Sequence, residues 1–169
     1  MPALDAQDGL PGAVAEMRDA IAKAASGCDL QRLAELAREG PGEFIFSGDE
    51  ILFFVGPLED TVEFLSALED DGVDLIAEAV TLLGLPFAFV ENPEPWGLLD
   101  DPALAPLYVW PAAAAHQSWS QVTDAEREAI RPLLGDAALQ TFADLDLYLG
   151  PRIGITESGD WVFQNFGDV

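Results

Sequence analysis

Between Glu39 and Glu126 the chain carries 18 acidic side chains and no Lys or Arg, over 88 consecutive residues. A stretch this acidic could belong to a disordered tail, but the composition argues for a folded domain. The chain is 50% hydrophobic and only 22% charged, whereas charged disordered segments lack the apolar residues needed for a core. At 169 residues the length fits one domain, 1–169, with a single sizeable core.

The charge also excludes functions. Seven basic residues against 31 acidic ones give a formal net charge of -24, which repels phosphate backbones and anionic lipid and disfavours direct contact with nucleic acid or membrane. One cysteine, Cys28, closes no intrachain disulfide and supplies no thiolate zinc cluster. Asp5 and Asp8 stand where a secretory leader needs basic residues, so a cytoplasmic location is expected. Pro102 to Thr123 is uncharged, but Pro102, Pro106 and Pro111 break it and no span is read there.

The acidic excess is uneven. Residues 1–38 have a net charge of -2 and residues 127–169 of -4, leaving -18 in the central block. Salt adaptation would decorate the whole chain, so this asymmetry singles out one portion. It has two readings, a negative face that steers a basic partner and a solvated face that keeps the protein soluble.

Hydrophobic periodicity orders the chain into helices and short strands. Helices are expected near 12–26, where Val14, Met17 and Ile21 are spaced for one face, and from the N-cap Asp29 to Gly40-Pro41. Residues 43–47 and 51–55 form a hairpin around Gly48-Asp49. Two more helices follow, from Pro57 to about Asp70 and from about Val73 to Leu83, and then a strand at 87–90. Residues 91–111 hold five prolines and read as irregular, with a short strand at Leu107 to Trp110. Thr123-Asp-Ala-Glu126 is a capping box opening a helix toward Leu134, and Gly135-Asp136 leads into another. A second hairpin, Arg152 to Thr156 and Trp161 to Phe166, closes the chain. Residues 1–10 read as disordered. The expected fold is α+β, an antiparallel sheet built from the N- and C-terminal hairpins with helices packed against it.

Chemical constellations are sparse. His116 is the only histidine, so any Ser-His-Asp or Cys-His mechanism must pass through it, and no hydrolase signature surrounds it. The densest acid run, Glu69 to Glu78, overlays a calcium loop with Gly72 in sixth place and Glu78 in twelfth, but Ala67 occupies the first ligand position. No metal or cofactor is therefore expected. Trp96, Tyr108, Trp110, His116 and Trp119, with Glu91, Glu94, Asp100 and Asp101, form a candidate ligand pocket, since aromatic platforms beside acids hold sugars or cations. The same tryptophans could instead pin a proline-rich loop to the core.

The leading expectation is a non-catalytic, bacterial-type interaction protein of inhibitor, immunity or DNA-mimic kind. Its acidic face, Glu59, Asp60, Glu63, Glu69, Asp70, Asp71 and Asp74, would dock on a basic protein partner. The alternative is a small-molecule or carbohydrate-binding protein, or a small hydrolase, using the Trp/Tyr pocket. Whether the protein is a monomer or a dimer stays open at this point.

Overall fold

The computed structural model describes residues 7–40, 44–48, 51–92 and 106–167. Four helices form one layer: α1 (Gly12–Ser26), α2 (Leu30–Arg38), α3 (Leu58–Asp70) and α4 (Leu75–Leu83). Each carries its boundary chemistry. The Asp29 and Asp74 carboxylates accept from the Arg32 and Ala77 backbone N–H groups and start α2 and α4, satisfying donors that no helical carbonyl reaches. Arg18, 3% exposed, donates from Nε to the Leu83 carbonyl. It thereby places a cation on the C-terminal end of α4, which has no basic residue of its own in its last turn.

Six strands make one sheet: β1 (Ile45–Gly48), β2 (Ile51–Phe54), β3 (Ala88–Val90), β4 (Leu107–Trp110), β5 (Arg152–Thr156) and β6 (Trp161–Asn165), in the order β2-β1-β6-β5-β4-β3. Both expected hairpins form, with Ser47 opposite Leu52 and Ile153 opposite Gln164. The sheet is mixed, not purely antiparallel, because β1 and β6 run parallel, pairing Ile45 with Phe163. Each hairpin fixes its own antiparallel ladder through its turn, but how two hairpins meet is a long-range choice. Here their N- and C-terminal strands meet in the middle of the sheet, where both faces are covered.

Alternation along the strands divides the core in two. Phe46, Tyr108, Trp110, Ile153, Ile155 and Trp161 face the four-helix layer. Leu107, Val109 and Phe163 face the opposite side, joined by Val162, which the β5–β6 register skips between Trp161 and Phe163; that side is covered by α5 (Asp124–Leu145) through Ile130, Leu139 and Phe142 and by short 3-10 turns at Ala112–Ala115 and Trp119–Gln121. The Thr123-Glu126 capping box opens α5 and Gly135, at φ 77°, kinks it. Gly154 leaves room for the Phe163 ring, which a Cβ there would enter.

Residues 1–6 lie outside the described residues, but Gln7 is tied down, its Nε2 donating to the Leu85 carbonyl at 2.6 Å and its Oε1 accepting from Trp110 Nε1 at 2.8 Å. Among the described residues, no helix is long and apolar enough to cross a membrane.

Candidate functional site

Helix α3 turns Thr61, Leu65 and Leu68 inward. Residues four and seven apart share a face of a helix, and the set that starts two positions earlier, Glu59, Glu63, Ser66 and Asp70, therefore lines up along the opposite, exposed face. At 1.5 Å of rise per residue the three carboxylates are separated by about 6 and about 10 Å along the axis. They border an open groove of about 800 Å³ against α2, floored by Leu58, Val62 and Ala67 and reached by Gln31. On α2, Arg32 is paired with Glu35 and Glu39 at 3.2 and 3.0 Å. Among the described residues, none of the three groove acids has an ion-pair partner.

Not all of that charge is well placed for the helix. Glu59 and Asp60 sit in the first turn of α3, where the helix dipole favours carboxylates. Asp70 and Asp71 occupy its C-terminal end, with no basic residue in the last turn, where the same dipole opposes them.

The remaining acids of the expected face have other tasks. Asp60 is exposed on the flank of α3. Glu69 accepts from the Ile76 N–H at 3.3 Å and Asp74 from the Ala77 N–H at 3.1 Å, so both close the turn into α4 instead of facing the groove. Glu78 points inward, toward Gln164. The acids that overlay a calcium loop thus diverge, and among the described residues no cluster of three metal-ligating side chains forms.

The aromatic pocket is not assembled among the described residues; Trp96, Glu94, Asp100 and Asp101 lie outside them. Tyr108 and Trp110 pack into the core beneath the helical layer, whereas Trp119 belongs to the core beneath α5. Trp110 and Trp119 therefore stand on opposite faces of the sheet, and both are buried, at 0% and 5% exposure. Alternation on β4 explains Trp110, and the separate 3-10 turn explains Trp119.

His116 bonds to neither Ser118 nor Ser120. Its Nε2 lies 3.1 and 3.0 Å from the two Glu126 oxygens. Burial alone would raise the Glu126 carboxyl, but the Thr123 backbone N–H and His116 outweigh it and hold that carboxyl below its usual range. Ser118 donates to Asp146 at 2.7 Å and the Ser120 N–H at 2.9 Å; these bonds, that of Ser118 first, hold the Asp146 carboxyl low. The three polar groups clip a loop to the end of α5, and no Ser-His pair exists there.

A second site was not anticipated. Glu78 lines a cavity of about 500 Å³ with Leu133, Leu134, Thr141, Pro151 and Phe166. Burial, reinforced by Asp74, pushes its carboxyl up to about 8, against the Gln164 amide, which favours the charged form. Gln164, 0% exposed, is the buried amide that faces this carboxyl. The signal was present in the sequence: Glu78 interrupts the apolar run Leu75-Ile-Ala-Glu-Ala-Val80, next to the buried Ala79 and one turn before the buried Leu82.

Comparison with protein-family models, curated proteins and solved structures finds no match.

Proposed function

We propose that this protein is a non-catalytic docking protein that captures a basic, amphipathic segment of a protein partner in the groove between α2 and α3, as an inhibitor, immunity protein or nucleic-acid mimic would. One observation carries the reading: Glu59, Glu63 and Asp70 share one groove with an apolar floor and no cation of its own. An amphipathic helix with Lys or Arg along its flank matches that chemistry, apolar side chains entering between Leu58 and Val62 and cations meeting the carboxylates. The field of a chain with net charge -24 would speed the encounter. Asp70 and Asp71 add support, since charge kept where the helix dipole opposes it is charge that α3 itself does not need.

The alternative pocket at Trp110 and Trp119 gains no support, because the two rings lie on opposite faces of the sheet. The docking reading is tested by fluorescence anisotropy with a labelled Lys/Arg-rich amphipathic peptide. Saturable binding is expected to weaken tenfold or more in the E59K/E63K/D70K variant. An E16K/D144K/E157K variant, with the same change in net charge at exposed positions elsewhere, should keep most of it. Equal losses in both variants would reduce the effect to bulk charge and overturn the reading.

A further inference from the structure

We propose that the outer edge of β2 is a self-association surface, on which a second copy of this chain adds its own β2 in antiparallel pairing about a twofold axis at Phe53. The proposal does not depend on what docks between α2 and α3.

Hydrogen bonding decides which backbone groups β2 presents at that edge. The Val55 N–H donates to the Phe44 carbonyl at 2.9 Å, and bonding alternates along an antiparallel pair. Ile51 and Phe53 therefore turn their backbone groups toward β1, whereas Leu52 and Phe54 turn theirs outward. The far side of β1 shows the same alternation, since Ser47, opposite Leu52, accepts from the Phe166 N–H at 2.7 Å. Among the described residues, no strand lies beyond β2. The Leu52 and Phe54 side chains, two positions apart and so on one face of the sheet, are 61% and 50% exposed. Phe53 between them points the other way and stacks on Phe64 of α3 at 4.0 Å.

Native sheets protect their edges with charged side chains, proline or bulges. Ile51 to Val55 contains neither a charge nor a proline, and its register with β1 is unbroken. The other edge is better guarded: β3 pairs over three residues, exposes one large apolar side chain, Phe89, and runs into the exposed Glu91.

Two properties select a second copy as the occupant. The first is self-complementarity. With Phe53 on the axis, Leu52 of each copy stands opposite Phe54 of the other. Both are residues with outward backbone groups, so each such pair exchanges two hydrogen bonds, and the four apolar side chains meet on one face. A contact of this isologous kind closes at two copies. The second property is charge. The cations of a basic partner find no carboxylate within Ile51 to Val55, whereas two chains of net charge -24 meet at an uncharged strand without setting like charges in register. Four strand residues a side, against about 20–30 in a standard interface, make the dimer weak and reversible. Screening of the two like-charged copies makes it tighten with salt, opposite in sign to the capture of a basic peptide.

Sedimentation velocity over increasing protein concentration tests the proposal. Expected is a reversible monomer–dimer equilibrium whose association constant rises about threefold or more between low and high salt. Leu52→Lys, at an exposed position, should weaken dimerisation at least tenfold with an unchanged circular dichroism spectrum, and Phe89→Lys, on the other edge, should leave it unchanged. The register is read by cross-linking in a Cys28→Ser background. Oxidising a mixture of Leu52→Cys chains and Phe54→Cys chains should give a disulfide-linked dimer, because Cα atoms of such a pair lie about 5.5 Å apart, whereas either variant alone should stay monomeric. A monomer at every concentration, undiminished dimerisation of Leu52→Lys, or cross-linking of either cysteine variant alone as readily as the mixture would overturn the proposal.

Discussion

Glu63 on α3 and Glu78 on α4 come from the same base-free block, yet the fold gives them opposite environments. Glu63 stands in solvent on an outward helical face beside Glu59 and Asp70. Glu78 is turned against the sheet, with an oxygen sealed from solvent and a carboxyl pushed up to about 8 by burial. Charge density along a sequence therefore does not determine chemistry. The outward acids act together as a field, whereas the inward one acts singly through its proton.

The largest expected effect tests the inward half. Because the Glu78 carboxyl is raised from 4.5 to about 8 in the folded protein, the fold holds that proton more tightly than the unfolded chain. Glu78 ionisation therefore leaves stability intact below about pH 4.5 and erodes it as pH climbs to about 8. At about 1.4 kcal/mol per pH unit, the erosion reaches about 3 kcal/mol by neutral pH. Urea unfolding across this range should show wild type losing that much relative to Glu78→Gln, and parallel curves would remove the distinction between the two acids.

A middle-sized effect concerns Asp74, which belongs to the acidic block but serves as a cap. Asp74→Ala should cost about 1 kcal/mol of stability, the usual loss for an N-cap, and leave peptide binding nearly unchanged. The smallest effect lies at the C-terminal end of α3. Asp71→Lys should stabilise the protein by about 0.5 kcal/mol by complementing the helix dipole, as read by thermal unfolding. Asp70→Lys should bring a similar gain while weakening peptide capture, because Asp70 borders the groove.

The elements were legible in the sequence because their signals are local. The Asp29 cap, the Thr123-Glu126 box and the Gly135 break each act within a few residues. The outward face of α3 was legible for the same reason, since helical periodicity separates Leu65 and Leu68 from Glu59 and Glu63. What escaped depends on contacts between distant segments. The parallel join of β1 to β6 and the hydrogen bonds of Gln7 to Leu85 and Trp110 leave no local trace. Trp110 and Trp119 looked like one cluster because they are near in sequence, but β4 commits Trp110 to one face of the sheet before the chain crosses to the other. Glu78 was visible as an acid yet was grouped with Glu69 and Asp74; its apolar neighbours were the clue to its inward orientation.

The most direct measurement is a heteronuclear NMR titration of the 15N-labelled protein with a Lys/Arg-rich amphipathic peptide at low salt. The account predicts that amide shifts concentrate on α2 and α3, around Gln31, Val62, Ser66, Ala67 and Asp70, and vanish in E59K/E63K/D70K. Shifts scattered evenly over the exposed acids of α1, α3 and α5 would contradict it, since no part of the acidic block would then be a docking face.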